Sequence, residues 1–319
     1  MTSNPSADRA PRVSVIMAVH NAERWLAEAI ESVLNQSFTD FEFLIHNDGS
    51  SDGSLEILQN YMTQDNRIMV STSDNQGPSA ARNTAIDKAC GEFLAIMDAD
   101  DVCLPDRFEK QLAYLDANPD CVVIGGCETT MDEKRRPIFD LRVPLTHEEI
   151  DGNNLRGITS IRHPTVMMRR AIVLKCGNYD VSYRAAQDHD LWLRIAEIGH
   201  LANLPDILIR YRIHDKSISG AKPELQRQMC RKACEAAWAR RGLTGMSFDY
   251  SDWRMADTPE SQQEFYLRYG WQAWNNGYRD TWRHYALHSV KMAPFSRNAW
   301  ALLIAGALKR PNSAKTLAT

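Results

Sequence analysis

From Val13 onward the chain alternates short apolar runs with stretches of helical periodicity, and few folds accommodate that alternation. "VSVIMAV" (13–19), "FEFLIH" (41–46), "RIMVST" (67–72) and "EFLAIM" (92–97) read as strands. After the first of them, Trp25, Leu26, Ala29, Ile30, Val33 and Leu34 recur at helical spacing and form one apolar stripe. Strands joined by crossover helices build a parallel sheet, so the expected class is α/β with a mostly parallel, Rossmann-like central sheet flanked by helices. In such sheets ligands bind beyond the carboxyl ends of the strands. The polar runs starting at His20, Asn47, Asp74 and Asp98 all fall at that edge, so four loops converge on one crevice.

Past residue 120 the regularity fades. "CVVIGG" (121–126), "TVMMRR" (165–170) and "ILIRYRIH" (207–214) read as strands, and "DHDLWLRIAEIG" (188–199) as a helix with Leu191, Trp192 and Ile195 inward. From Pro223 to the end the pattern is helical. The expected organisation is a tail over 1–11, an α/β domain over 12–220 and a helical extension over 221–319. Within the extension, "AWALLIAGALKR" is far shorter than the roughly 20 residues that cross a bilayer. It places Trp300, Leu303, Ile304, Ala307 and Leu308 on one face, with Lys309 and Arg310 at its end. Such a stripe either packs back onto the protein or lies at a membrane interface.

A net charge of −4 and a pI near 6.2 leave no footprint for nucleic acid. The seven cysteines are odd in number and show no Cys-x-x-Cys spacing, which speaks against a zinc knuckle and a disulfide framework and for a reducing compartment. "MTSNPSADRAPR" reads as neither signal peptide nor anchor, so a cytoplasmic location is expected. One stretch is chemically unusual. "AIMDADDVCLPDRF" (95–108) delivers Asp98, Asp100 and Asp101 to the end of a buried strand. Carboxylates this close repel and resist desolvation, so either a cation sits among them or they form a solvated turn that caps the next helix.

Five ordered segments carry a resemblance: the run from Val13 through "HNDGSSDGS", then "NQGPSAARNTAI", "MDADDVCLPDRF", "QDHDLWLRIA" and "YRIHDKSIS". In order and spacing they resemble the family 2 glycosyltransferases, which have the GT-A fold, over about residues 12–220. The resemblance implies a nucleoside-diphosphate sugar donor and a divalent cation, Mn²⁺ or Mg²⁺, beside the Asp-x-Asp pair Asp98 and Asp100. Asp101 is the adjacent metal candidate, and Ala99 falls among the donor contacts. His214 resembles the histidine that completes the metal or diphosphate site in many GT-A enzymes. Asp48 matches the carboxylate that reads the nucleobase, and a carboxylate there suits uracil, thymine or guanine better than cytosine. A UDP-sugar leads that set, although Asn47 stands where relatives often carry a first aspartate. Arg82 matches an arginine near the donor phosphates or base. Ala18 ends the first strand where backbone would face the base, and Asn21 either joins the donor contacts or begins the first helix.

For catalysis the resemblance points to Asp188, the second acid of an "(E/D)-D-x-D-L-W" motif whose first acid is here Gln187. It implies an inverting transferase in which Asp188 takes the proton of an acceptor hydroxyl. The alternative for Asp188 is a helix cap, and the structural reading is preferred for Asp190. His163 lies where relatives place acceptor-side residues. The expected partners are the donor and a saccharide or lipid-linked saccharide acceptor, with peripheral contact to the inner face of the plasma membrane through the C-terminal helices. A sugar-nucleotide pyrophosphorylase would want a basic glycine-rich loop after the first strand, and "AVHNAERW" lacks one. Gln187 and Asn47 keep open a non-catalytic nucleotide-sugar-binding or scaffolding subunit of a polysaccharide-assembly complex.

Overall fold

The computed structural model describes residues 10–214, 223–250 and 259–308. Its first four strands follow the apolar runs: β1 (Val13–Val19), β2 (Phe41–Asp48), β3 (Ile68–Ser73) and β4 (Phe93–Ile96). β1 lies between β2 and β4 and is parallel to both, and β3 runs parallel to β2. Helices α1 (Leu26–Leu34), α2 (Ser54–Gln64) and α3 (Pro78–Ile86) make the crossovers. The stripe of α1 buries Leu26, Ala29, Ile30 and Val33 as its spacing predicts. Pro78 opens α3 directly after Gly77, whose φ of 92° no other residue adopts easily.

Beyond β4 the sheet reverses direction and becomes mixed. The later elements are β5 (Val102–Cys103), α4 (Arg107–Ala117), β6 (Cys121–Met131), β7 (Pro137–Leu141), α5 (His147–Asn154), β8 (Met167–Arg169), α6 (Arg170–Lys175), α7 (Gln187–Ile195) and β9 (His200–Arg212). β8 pairs antiparallel with β4 on one side and with β6 on the other. The strand order is β3-β2-β1-β4-β8-β6-β9-β5, and β7 pairs antiparallel with β6. Leu191, Trp192 and Ile195 of α7 are fully buried, as expected. β6 runs five residues past the expected "CVVIGG" because Glu128, Thr129 and Thr130 are buried strand residues that composition disguises as a turn.

The chain divides into two compact units, and not at residue 220. The first is Met1–Cys127, Arg142–Ile209 and Leu225–Tyr250; the second is Glu128–Leu141, Arg210–Glu224 and Ser251–Thr319. Helix α8 (Pro223–Arg241) joins the first because Cys230, Ala233, Cys234 and Ala237 pack with Leu155, Tyr183, Ala186 and Leu193. Those residues are small, so a helix whose sequence looks weakly amphipathic still approaches closely. The second unit holds α9 (Pro259–Asn275), α10 (Arg279–Met292) and α11 (Arg297–Leu308) around Ile138, Tyr269, Trp274, Trp282 and Tyr285. In α11, Ala299 and Leu302 are buried and Leu303 packs on that core, whereas Trp300 and Ile304 stay 45% and 49% exposed. Lys309 and Arg310, the side chains of Ala307 and Leu308, and residues 1–9 lie outside the described residues. No helix among the described residues is long and apolar enough to cross a membrane.

A buried cation holds the point where the sheet reverses. Arg107 opens α4 fully buried and donates from Nη2 to the carbonyls of Ile96 (2.9 Å) and Val166 (3.0 Å), and from Nε to Gln111 (3.0 Å). Gln111 Nε2 in turn donates to the carbonyls of Ile124 and Thr165, both at 2.8 Å. Together they tie the end of β4 to β6 and to the turn before β8. Hydrogen bonds from a charged donor contribute about 1.5–3 kcal/mol each, partly offset by desolvation of the cation. Arg107→Ala is therefore expected to lower the unfolding free energy by about 3 kcal/mol, read as a lower urea midpoint at constant slope. A loss under about 1 kcal/mol would remove this role from Arg107.

Candidate active site

Asp98 lies two residues beyond the end of β4 and is half-buried. Its Oδ1 accepts a hydrogen bond from Arg82 Nη2 at 2.9 Å and lies 3.9 Å from His163 Nδ1. Arg82 comes from α3 and is 7% exposed; its Nε and Nη1 have no hydrogen-bond partner among the described residues. The guanidinium sits 5.9 Å from the ring centre of Tyr179, whose hydroxyl is 2.9 Å from His163 Nε2. Asn83 holds Tyr179 in place with Nδ2 donating to its carbonyl (2.8 Å) and Oδ1 accepting from its N–H (3.1 Å).

Charge in this cluster is strongly biased. Burial opposes ionisation of Asp98, but hydrogen bonding from His163 and the Arg82 charge outweigh it and hold the carboxyl well below the usual range. Burial pushes the Tyr179 phenol far up, so it stays protonated, 2.9 Å from His163 Nε2. Nδ1 is the imidazole nitrogen that faces Asp98.

Asp188 lies in the first turn of α7, and Ala186 just before it adopts a left-handed φ of 53°. The side chain is half-buried, and no hydrogen bond reaches its carboxylate from the described residues. Its charge acts on both Arg82 and Tyr179, which places it beside the Asp98 cluster. Asp190 is 3% exposed and locked by Arg194, whose Nε and Nη2 donate to Oδ2 at 2.9 and 2.7 Å. The structural reading of Asp190 matches that contact.

Asp48 has a task of its own in this structure. Oδ1 accepts from the N–H of Gln76 (2.7 Å) and Oδ2 from that of Gly77 (2.9 Å), so the carboxylate ties the end of β2 to the loop before α3. Beside it Gly49 has a φ of 66°, and a Cβ there would stand 2.7 Å from the Asn75 nitrogen. Asn21, also left-handed, accepts at Oδ1 from the Ser51 N–H at 2.8 Å and so pins the 50–51 turn. Ala18 is half-buried near the end of β1, and Ala99 is 8% exposed. Asp100 is half-buried, whereas Asp101 is 1% exposed and turned inward. His214 follows β9 and belongs to the second unit.

Among the described residues, the aspartates of 98–101 form no set of three ligands whose donor atoms lie within 4.8 Å of one another. An ionised Asp98 with Asp100 nearby still fits a hard cation, because Mg²⁺ and its analogues use one or two carboxylates and take further oxygens from substrate phosphates.

The family model described as Glycosyl transferase family 2 matches residues 14–177. The chain belongs to that family. The O-antigen biosynthesis glycosyltransferase WbnJ of Escherichia coli is 36% identical over 213 residues, 64% of this chain and 81% of the relative. The amylovoran biosynthesis glycosyltransferase AmsE of Erwinia amylovora is 31% identical over 203 residues, 62% of this chain and 75% of the relative. Among solved structures, S. aureus TarS 1–349 in complex with UDP-GlcNAc aligns over 92% of this chain and 79% of its own, with a TM-score of 0.55 and 17% identity. The mannosyltransferase PcManGT of Pyrobaculum calidifontis, in complex with GDP-Man and Mn²⁺, aligns over 94% and 80% with a TM-score of 0.56, also at 17% identity. These structural likenesses establish the GT-A fold.

The family motifs named Arg82, Asp98 and Asp188, but not Tyr179 or Asn83, which position them. Asn83 directly follows Arg82 in "SAARN", and that adjacency is the one local hint of a positioning pair. The Asp98–Arg82 contact also predicts a pH signature. The folded carboxyl is depressed, so its stabilisation is fully present above the ordinary carboxylate value near 3.9 and is lost as pH falls towards the depressed one. Asp98→Asn should therefore destabilise at pH 7, and its gap from the parent in urea midpoint should narrow as pH falls below about 4. A gap independent of pH would contradict the ion pair.

Proposed function

We propose that the protein is an inverting glycosyltransferase that moves a sugar from a nucleoside diphosphate, a UDP-sugar first among the candidates, to an acceptor hydroxyl. The observation that carries this reading is Arg82: a buried guanidinium with two unspent donors beside an ionised Asp98 suits a diphosphate. The nucleotide sugars held by the two solved neighbours, one with Mn²⁺, support the donor class and the ion. Asp98 and Asp100 would hold Mn²⁺ or Mg²⁺. The ion supplies positive charge to the departing diphosphate.

The chain's own residues do the rest. Asp188 takes the acceptor proton with a carboxylate that no hydrogen bond from the described residues engages, and the acceptor oxygen attacks the anomeric carbon from the face opposite the diphosphate. Arg82 meets the negative charge that develops on the leaving group. An α-linked donor then yields a β-glycoside. The names of WbnJ and AmsE support an acceptor in cell-surface polysaccharide or glycolipid assembly, a saccharide or lipid-linked saccharide. Phe295, 99% exposed, with Trp300 and Ile304, supports peripheral contact at the cytoplasmic face of a membrane.

Asp188→Asn should bind nucleoside diphosphate like the parent and transfer about 10²-fold more slowly, since it removes a base and no phosphate contact. Near-parental turnover would exclude Asp188 as the base. Asp100→Ala should lose the Mn²⁺-dependent part of nucleoside diphosphate affinity in calorimetry, and equal Mn²⁺-assisted affinity in both proteins would exclude the proposed ion site. A purified protein that releases no nucleoside diphosphate from any sugar nucleotide would return the reading of a non-catalytic subunit.

A further inference from the structure

Between α7 and α8, three ligand-type side chains that the proposed reaction does not use come together. Among the described residues, His189, Cys230 and Cys234 are the metal-ligating set whose donor atoms all lie within 4.8 Å of one another. His189 is on α7 next to Asp188, and the two cysteines are one turn apart on α8. All three are at most 2% exposed. The spacing Cys-x-x-x-Cys with a histidine 41 positions upstream is no zinc-knuckle pattern, which is why the sequence argues against one.

We propose that His189, Cys230 and Cys234 form a closed site for a thiophilic divalent ion, zinc foremost, that ties α8 to the helix carrying Asp188. The geometry argues for four corners. The main-chain oxygen of Asn154, at the end of α5, lies 2.9 Å from His189 Nε2 and 3.4 Å from Cys234 Sγ, and those two atoms are 3.6 Å apart. With ion–sulfur bonds of about 2.3 Å and ion–nitrogen or ion–oxygen bonds of about 2.0–2.2 Å, a tetrahedron spaces S and N by about 3.6 Å, S and O by about 3.6 Å, and N and O by about 3.4 Å. The S–N and S–O spacings already approximate those edges, the N–O edge opens by about 0.5 Å, and Cys230 Sγ lies within 4.8 Å of the other two side-chain donors.

The protonated cluster is crowded. The Asn154 oxygen, with two lone pairs, faces three donors: the Gly157 N–H (3.0 Å), His189 Nε2 and the Cys234 thiol. The ion removes two of them. Binding releases the two thiol protons, and the proton of the neutral imidazole moves from Nε2 to Nδ1, which frees the Nε2 lone pair for the metal. Two thiolates, an imidazole and one oxygen in a dry site favour zinc over the hard ions that suit Asp98 and Asp100.

Co²⁺ added to the reduced, metal-free full-length protein tests the proposal. It should give a thiolate-to-cobalt charge-transfer band with tetrahedral d–d bands, saturating at about one equivalent and displaced by Zn²⁺. The carboxylate site offers no sulfur and yields no such band. Cys230→Ser and Cys234→Ser should each lose it, and the band should survive in Asp100→Ala. Absence of the band in the parent protein, or its persistence in both cysteine variants, overturns the proposal. Should the variants not fold, X-ray absorption on the zinc-loaded parent decides. Two sulfurs with one imidazole support the site, and a shell without sulfur or without imidazole overturns it.

Discussion

The Arg107 guanidinium is the contact on which the site depends. β4 is parallel to β1 on one edge and antiparallel to β8 on the other, so the chain must reconcile two hydrogen-bonding patterns where β4 ends. Arg107 spans that junction by donating to one carbonyl on each side of it, and Gln111 extends the bracket to β6. Two residues beyond Ile96 the chain reaches Asp98. The position of the site's most perturbed carboxylate therefore follows from a buried cation that takes no part in the chemistry.

From Asp98 the arrangement spreads by charge. Asp98 stays ionised because Arg82 and His163 face it, His163 is oriented by a phenol that burial keeps protonated, and Asn83 holds that phenol in place. Asp188, on another helix, acts electrostatically on the same guanidinium. Asp98 is engaged by Arg82, and among the described residues no hydrogen bond reaches the Asp188 carboxylate.

What the sequence disclosed follows from how locally each feature is encoded. β1 and β2 are legible because each carries a short, mostly buried apolar run, Val15–Val19 and Phe43–Ile45, even though Ser14, Glu42 and His46–Asp48 share the strands. β5 has two residues, and the buried Glu128 and Thr130 of β6 look like loop, so neither has a periodicity to detect. The division of the chain was misplaced because α8 is fastened by cysteines and alanines, whose contribution is close approach and not apolar area. Motif order located Arg82, Asp98 and Asp188. The role of Arg107 in "LPDRF" is not legible, since no sequence pattern separates an arginine that brackets a sheet from one that meets solvent.

Asp48 has a consequence for how donor preference can change in this protein. Both carboxylate oxygens hold the Gln76–Gly77 backbone, and the loop they hold leads into the helix that carries Arg82. A side chain able to read a different base at position 48 would bring N–H groups or a shorter reach, and would face two main-chain donors it could not both satisfy. On the proposed reading, base recognition and phosphate placement are in this way mechanically joined. A shift of nucleotide preference in descendants of this chain would have to be written into the residues around Asp48 while the carboxylate itself stayed.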